Sequence, residues 1–313
     1  MMLFAKQVSG SGVRMLSSFV RLAVTRSCVL VSSLSFLLAC AVPSAFAAVR
    51  LEAPEIINPG QPFVVTLIAD EPLQNVVLEW RGKKLELPVS SVTTEQGYAL
   101  YAKALLGLPL SEDSSSVPLQ VRAFVSGVAH TSSRTLKVQQ KKYPEQRLTV
   151  KKKYVDIAKN DLERHKKERE RVNAVLASIT PERYWDVPMQ RPVPGSVSSV
   201  FGLRRFFNDQ PRKPHTGVDL RGAEGTPILS CADGVVALAE NHFFSGNAVF
   251  IDHGEGVVSM YFHMSRIDVV PGQQVKKGEA IGAVGSTGRV TGPHLHFGLS
   301  LQGVSVDPMP LFE

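Results

Sequence analysis

The sequence predicts a mostly β protein in which a helical linker joins two β domains. Residues 48–139 contain short runs rich in β-branched and aromatic residues, separated by turn signals. Residues 140–195 are charged and carry apolar residues near helical spacing. In residues 196–313, apolar runs are punctuated by glycine-containing turns. A chain of 313 residues with 44% hydrophobic content is long enough for about two domains with cores of their own.

The first segment, residues 1–47, has the order of a secretory signal peptide. It contains four basic residues and no acidic one, followed by an apolar stretch over residues 28–42 and an Ala-Phe-Ala cleavage pattern within residues 43–47. We therefore expect a periplasmic or extracellular protein. Two alternatives would leave it at the membrane, namely an uncleaved anchor or lipidation of Cys40. Translation could also begin at Met15.

Charge and cysteine content narrow the class of protein further. Loss of the first segment removes four of the +7 net charges and leaves about +3. That balance is compatible with an anionic cell wall and does not indicate nucleic-acid binding. Cys231 is then the remaining cysteine, so no intramolecular disulfide is expected in an oxidising compartment. Because Cys231 follows a strand-like run and precedes a turn, we interpret it as a buried structural residue.

Residues 48–139 are predicted to form an immunoglobulin-like β-sandwich, because about seven short strands within ninety residues are typical of that architecture. This region shows no catalytic grouping, and His130 is its one histidine. We expect a targeting, spacing or regulatory role. The strand-like runs are PFVVTLIA, NVVLEW, KKLELPV, YALYAKAL, PLQVRAFV and RTLKV.

The linker, residues 140–195, is predicted to contain one helix over residues 155–178, closed by Thr180-Pro181. Glu163 and Lys167 form an i,i+4 pair of the favourable order. A helical linker is semi-rigid, so it could hold the sandwich close to the second domain. On that hypothesis, a fragment that begins near Pro188 should be more active than the mature chain.

The second domain carries three histidine motifs, HTGVDL, MYFHM and GPHLHFGL. Residues two apart on a strand share a face, so His294 and His296 should point the same way, roughly 6.5–7 Å apart along the chain. This spacing suits one metal ligand and one group that reaches bound water or substrate. Tyr261 and His263 show the same spacing in another strand-like run.

His215 and Asp219 have a different relation. Pro214 and the residues between the pair argue against a helix, and a fully extended chain would separate them by about 13 Å, too far to share an ion. The chain must therefore bend between them, and Gly217 tolerates a bend. The sequence has no HExxH helix, so a catalytic base is expected among the histidines.

These motifs, together with the run GSTGRVTGPHLHFGL, resemble the lysostaphin/LytM-type zinc metalloendopeptidases, which cut peptide cross-links in bacterial peptidoglycan. The resemblance covers residues 196–307 and implies an antiparallel-β metallopeptidase domain with one zinc ion per chain. Met264 replaces the leucine more frequent in that family and conserves its volume. The resemblance implies three zinc ligands: His215, Asp219 and His296. It also implies two catalytic histidines, which share water activation and oxyanion stabilisation in an order left open: His263 and His294.

We therefore expect a monomeric zinc metalloendopeptidase that hydrolyses peptidoglycan stem-peptide cross-links with zinc-activated water, between D-alanine and a diamino acid. Two alternatives are a non-enzymatic regulator that activates other wall hydrolases and a wall-binding module. The complete ligand set argues against the first, and two idle proton-handling histidines argue against the second. The remaining histidines are interpreted as ordinary core, surface or turn residues: His130, His165, His242 and His253.

Overall fold

The computed structural model describes residues 49–94, 97–148, 159–207, 209–211 and 213–312. The predicted signal peptide, residues 1–47, and the alternative lipidation site at Cys40 lie outside the described residues. None of the helices in the described part is long and apolar enough to cross a membrane. The described residues belong to one compact unit and are mostly β strand, as the sequence predicts.

The N-terminal region consists of two sheets around one core. One described sheet has the order β1-β3-β7-β6 and the other has the order β2-β9-β8-β4-β5. Alternate residues of β8 are buried, and both sheets contribute to a core that includes Leu67, Trp80 and Val121. The two layers fit a sandwich, while the immunoglobulin-like assignment stays a prediction. The strands are β1 Val49–Glu52, β2 Ile56–Ile57, β3 Pro62–Ala69, β4 Leu73–Trp80, β5 Lys83–Leu87, β6 Ser90–Thr94, β7 Gly97–Gly107, β8 Ser116–Val125 and β9 Val128–Val138.

The C-terminal region is built on one antiparallel sheet of order β11-β14-β21-β18-β17-β16-β19, to which β15, β20 and β22 are attached. A small separate sheet has the order β10-β12-β13. The elements are β10 Glu145–Leu148, α1 Lys159–Ala177, β11 Val197–Ser199, β12 Arg204–Phe207, β13 Gln210–Pro211, β14 Val218–Arg221, β15 Pro227–Leu229, β16 Gly234–His242, β17 Gly246–Asp252, β18 Val257–Ile267, β19 Gln274–Val275, β20 Ala280–Val284, β21 His294–Leu301, β22 Val304–Val306 and a 3-10 helix Met309–Leu311.

The predicted linker helix is present as α1, and the predicted start at residue 155 lies outside the described residues. α1 packs on the C-terminal sheet. Its carboxylate Glu168 is 4% exposed and accepts hydrogen bonds from Arg164 Nε at 2.7 Å and from the Phe243 amide at 3.1 Å. The apolar side of α1 covers a cluster on β17 and β18 with three side chains: Val172, Val175 and Leu176.

The segment after α1 also departs from the predicted linker, because it enters the C-terminal core. Trp185, Met189 and Val193 are buried in the cluster that the C-terminal sheet forms. Leu105 of β7 belongs to the same cluster, so the two β regions share packing. A fragment beginning near Pro188 would lack Trp185 and α1. Lower stability of such a fragment would therefore oppose the gain in activity expected from the sequence.

A buried ion pair fastens this segment. Arg183 Nη2 lies 2.9 Å from Glu255 Oε1, with side chains that are 10% and 2% exposed, and Trp185 Nε1 donates to Glu255 Oε2 at 3.1 Å. Burial raises the pKa of Glu255, and Arg183 opposes that shift. Removal of the arginine would leave a buried carboxylate without its charged partner.

We expect Arg183→Ala to lower the free energy of unfolding by about 3–5 kcal/mol, the usual cost of breaking a buried pair. The matched control is Arg266→Ala, which removes an arginine that is 65% exposed from its pair with Asp268. That change should cost about 0–1 kcal/mol. Equal losses in urea denaturation of the two variants would contradict the structural role assigned to Arg183.

Cys231 is buried, as expected, and it belongs to a polar network within the core. Its Sγ lies 3.6 Å from Nε2 of His253, which is 2.7 Å from Ser259 Oγ. His253 Nδ1 donates to the carbonyl of Asp233 at 2.6 Å. His253 is therefore a core residue, one of the ordinary classes expected for it, and its ring nitrogens have partners.

Candidate metal centre

Three side chains converge where β14 pairs with β21. Asp219 lies directly opposite His296 in that antiparallel pair, so the two side chains share a face of the sheet. His215 precedes β14. Its Nε2 is 3.0 Å from His296 Nδ1 and 3.1 Å from Asp219 Oδ1, while His296 Nδ1 is 2.9 Å from the same oxygen. These three residues, predicted as metal ligands, are brought together with one donor atom each.

The bend that the sequence requires between His215 and Asp219 occurs at Gly217. The reason for glycine there is close approach, because φ of Gly217 is not among the positive values of the chain. A Cβ at this position would lie 2.4 Å from the carbonyl oxygen of Phe297 and 2.7 Å from His296 Nε2. Any side chain at residue 217 would therefore displace His296 from the site.

Hydrogen bonds orient the convergent donors. His215 Nδ1 donates to the carbonyl of Val200 at 2.9 Å, which directs Nε2 toward Asp219. The His296 ring stacks on Phe262 with centroids 5.2 Å apart and planes 6° apart. Burial opposes ionisation of Asp219, but hydrogen bonds with His215 and His296 outweigh it and hold the pKa of that carboxyl well below its usual range. Asp219 is therefore an anion at neutral pH.

His263 reaches the same face of the sheet through a β-bulge. Along β18 two residues, Phe262 and His263, oppose one residue of β17, and His263 has a φ of +66°. Strict alternation would have kept His263 on the core side with Tyr261, which packs on Phe297. The bulge instead turns the His263 side chain to the side of His296, and the centroids of the two rings lie 6.2 Å apart.

His263 and His294 lie side by side with ring centroids 5.0 Å apart. Nδ1 of His263 donates to the carbonyl of Thr287 at 2.9 Å, and Nδ1 of His294 donates to that of Gly292 at 2.9 Å. In both rings Nε2 is therefore the nitrogen that does not bond a backbone carbonyl, and His294 Nε2 lies 3.8 Å from Asp219 Oδ1. Burial lowers the pKa of His263 to about 4, so this imidazole is neutral at pH 7.

Two loops that the sequence did not single out for this role hold His263. The backbone amide of His263 donates to the carbonyl of Ser245 at 2.9 Å, in the turn that the α1 carboxylate also binds through the Phe243 amide. Thr287 Oγ1 joins β18 to β17 next to His263. It donates to the carbonyl of Met264 at 2.7 Å and accepts from the Asn247 amide at 2.9 Å. The sequence shows no signal that marks these contacts.

The glycine-rich run 285–288 lies beside the turn that contains Ser245. In the structure it gives two loops room to touch. A Cβ on Gly288 would lie 2.3 Å from the Gly246 amide nitrogen, and one on Gly246 would lie 2.3 Å from Thr287 Oγ1. The absence of side chains therefore lets the 285–288 loop lie against the Ser245 turn, where it fixes His263.

The convergent donors fit a zinc ion. Ligand atoms of His215, Asp219 and His296 all lie within 4.8 Å of one another. Two imidazole nitrogens and one carboxylate oxygen are the donor set of three-ligand catalytic zinc sites, which keep a fourth position open. The site therefore has the donors of a mononuclear metallohydrolase, with two further histidines next to it.

The comparisons agree with this class. The family model described as peptidase family M23 matches residues 213–308, which contain all five site residues. A solved structure from Pseudomonas aeruginosa, assigned to peptidase M23, is 30% identical, covers 81% of this chain and 93% of that one, and has a TM-score of 0.56. The chain belongs to peptidase family M23.

Curated relatives match over a shorter length. Peptidoglycan DD-endopeptidase ShyA of Vibrio cholerae is 45% identical over 114 residues, which are 36% of this chain and 26% of ShyA. DD-carboxypeptidase/endopeptidase Mpg of Neisseria meningitidis is 42% identical over 113 residues, which are 36% of this chain and 26% of Mpg. The chain thus spans about a quarter of the length of these relatives.

Proposed function

We propose that the protein is a zinc metalloendopeptidase that hydrolyses peptide cross-links of bacterial peptidoglycan. The observation that carries the proposal is the convergence of three metal donors beside two histidines whose Nε2 atoms are available. The name of ShyA, a peptidoglycan DD-endopeptidase, supports peptidoglycan as the substrate class, and the name of Mpg supports endopeptidase chemistry. By the same comparison, we propose cleavage between D-alanine and a diamino acid.

In this proposal His215, Asp219 and His296 hold the metal. A zinc ion there would supply Lewis acidity, which polarises a peptide carbonyl and lowers the pKa of water. His263 and His294 exchange protons with the water and with the leaving amine, and a ring that carries a proton on Nε2 donates a hydrogen bond to the developing oxyanion. A neutral His263 is suited to accept a proton at pH 7. The division of roles between the two histidines stays open.

We further propose export through the first 47 residues, which places the enzyme in the periplasm or outside the cell beside its substrate. One zinc ion per chain and a monomeric state complete the proposal. The N-terminal two-layer region is assigned as an immunoglobulin-like sandwich. Its packing on the C-terminal core through Leu105 suits a spacing or regulatory role better than an independent module.

The alternative of a non-enzymatic regulator depends on a site that has lost function. The described site has a donor set that is complete in composition and geometry, with ligand atoms within 4.8 Å of one another. His263 also occupies a left-handed backbone conformation, which a non-glycine residue adopts at some energetic cost. A regulator would gain nothing from that cost, so the enzyme is the better proposal.

Incubation of purified wall with the zinc-loaded mature chain should convert cross-linked muropeptide dimers into monomers that end in D-alanine. Mass analysis before and after digestion measures this directly. Chelation should abolish the conversion, and added zinc should restore it. Release of peptides without disaccharide would indicate amidase chemistry, and unchanged dimers with zinc still bound would favour the regulator.

A further inference from the structure

Arg205 lies in the hairpin that borders the metal centre, and its side chain turns toward that centre. Along β12, successive side chains alternate between two sides. Arg204 faces away from the site and donates to Glu145 Oε1 at 2.9 Å. Arg205 faces the other way, where its Nη2 donates to Ser199 Oγ at 3.2 Å. That oxygen is in turn 3.2 Å from Nδ1 of His215.

The guanidinium of Arg205 is poorly satisfied. A guanidinium carries several N–H donors in a planar fork, and the bond to Ser199 is the one that Arg205 makes with the described residues. Its Nε is buried without a hydrogen-bond partner. No carboxylate of the described chain lies within ion-pair distance of it, whereas Arg204, exposed on the same strand, has Glu145. A half-buried cation without an anion is costly unless a ligand provides one.

The nearby carboxylate cannot serve as that anion. Asp219 Oδ1 is already shared by His215 and His296, and Asp219 is one of the three proposed metal ligands. With zinc bound, the ion and Arg205 would together give this part of the site a positive charge. Charge-assisted, bidentate contacts make arginine well suited to a carboxylate.

We infer that Arg205 binds a free carboxylate of the substrate next to the scissile bond and so determines specificity. The inference rests on the proposed function. Two hydrogen bonds through Ser199 Oγ join Arg205 to Nδ1 of His215, the ring nitrogen opposite the one that faces Asp219. The guanidinium therefore lies about one or two extended residues beyond this proposed ligand. When the diamino acid of a cross-link is a dicarboxylic acid, a free carboxylate lies on the carbon that bears the scissile nitrogen.

Two synthetic peptide dimers test the inference. They are cross-linked from D-alanine to diaminopimelate and are identical except that the carboxylate beside the scissile amide is either free or amidated. We expect the wild-type chain to prefer the free acid by about 10- to 100-fold in kcat/KM, the usual effect of one charge-assisted contact. Arg205→Gln should bring that ratio close to one, mainly through slower cleavage of the free acid. The matched control, Arg204→Gln, should keep the wild-type ratio.

A binding measurement separates the inference from the proposed function. Calorimetry on the zinc-loaded proteins compares two stem peptides that end in diaminopimelate. They differ only in whether the carboxylate beside the amine that would form the cross-link is free or amidated. The wild-type chain should bind the free acid more tightly, without any cleavage. If the wild-type chain cuts neither dimer, the proposed function fails, while the calorimetric ratio still decides the role of Arg205.

Three outcomes would overturn the inference. The first is equal binding and cleavage of both forms by the wild-type chain. The second is a preference that persists in Arg205→Gln. The third is a loss of zinc from Arg205→Gln with the preference intact, because Arg205 would then act only through Ser199 on His215. Metal analysis of each variant supplies this last readout.

Discussion

Replacing His296 with alanine should lower metal content and turnover together. The imidazole supplies one of three donors, and its Nδ1 lies 3.0 Å from His215 Nε2 and 2.9 Å from Asp219 Oδ1. Without it two donors remain, and tight zinc sites in hydrolases are built from at least three protein ligands. We expect zinc to leave the variant on dialysis and peptidase activity to fall to background.

Metal analysis beside peptidase rates on the same preparations measures this result. The matched control is His294→Ala, which removes an imidazole two residues away on the same strand and the same face. That variant should keep about one zinc ion per chain. If His294→Ala lost its zinc while His296→Ala retained it, the assignment of ligand and proton-handling residue would be reversed.

The local geometry of β21 could be predicted because a regular strand has one simple rule. Residues two apart share a face, and β21 pairs with β14 without a bulge from His294 to Phe297. The bend between His215 and Asp219 followed from the limited reach of an extended chain. In each case the prediction required backbone geometry alone and no knowledge of the packing around it.

The position of His263 could not be derived in the same way. Its spacing from Tyr261 matches a regular strand, which would have placed the imidazole in the core. The bulge that turns it outward depends on β17 pairing and on the carbonyls of Ser245 and Thr287. These contacts join residues that are distant in sequence, so no local pattern marks them.

The packing of the linker could not be predicted from local sequence either. The charged sequence predicted a helical linker, yet the buried carboxylate of Glu168 accepts from the Phe243 amide and ties the helix to the turn beside His263. Trp185 was one aromatic residue in a segment rich in proline, and its burial depends on tertiary packing. The sequence did not single out Arg205 either. Arg204 and Arg205 are two adjacent cations that look alike in the sequence, and only the strand shows that their side chains point to opposite sides.

Replacing His263 or His294 with alanine should lower turnover and leave the metal bound, unlike the replacement of His296. Neither imidazole belongs to the group of donors whose atoms lie within 4.8 Å of one another, so about one zinc ion per chain should remain. Each has its Nδ1 tied to a backbone carbonyl, which leaves Nε2 for proton transfer. Loss of such a group lowers turnover by roughly 10²–10⁴.

The two substitutions should also combine in a characteristic way. If His263 and His294 share one proton-transfer sequence, as rings 5.0 Å apart can, the double variant should be little slower than the slower single variant. Kinetics of both single variants and the double variant, each checked for zinc, measure this. Retained turnover in either zinc-loaded single variant would remove that histidine from the chemistry. Fully multiplicative losses in the double variant would mean that the two imidazoles act in independent steps.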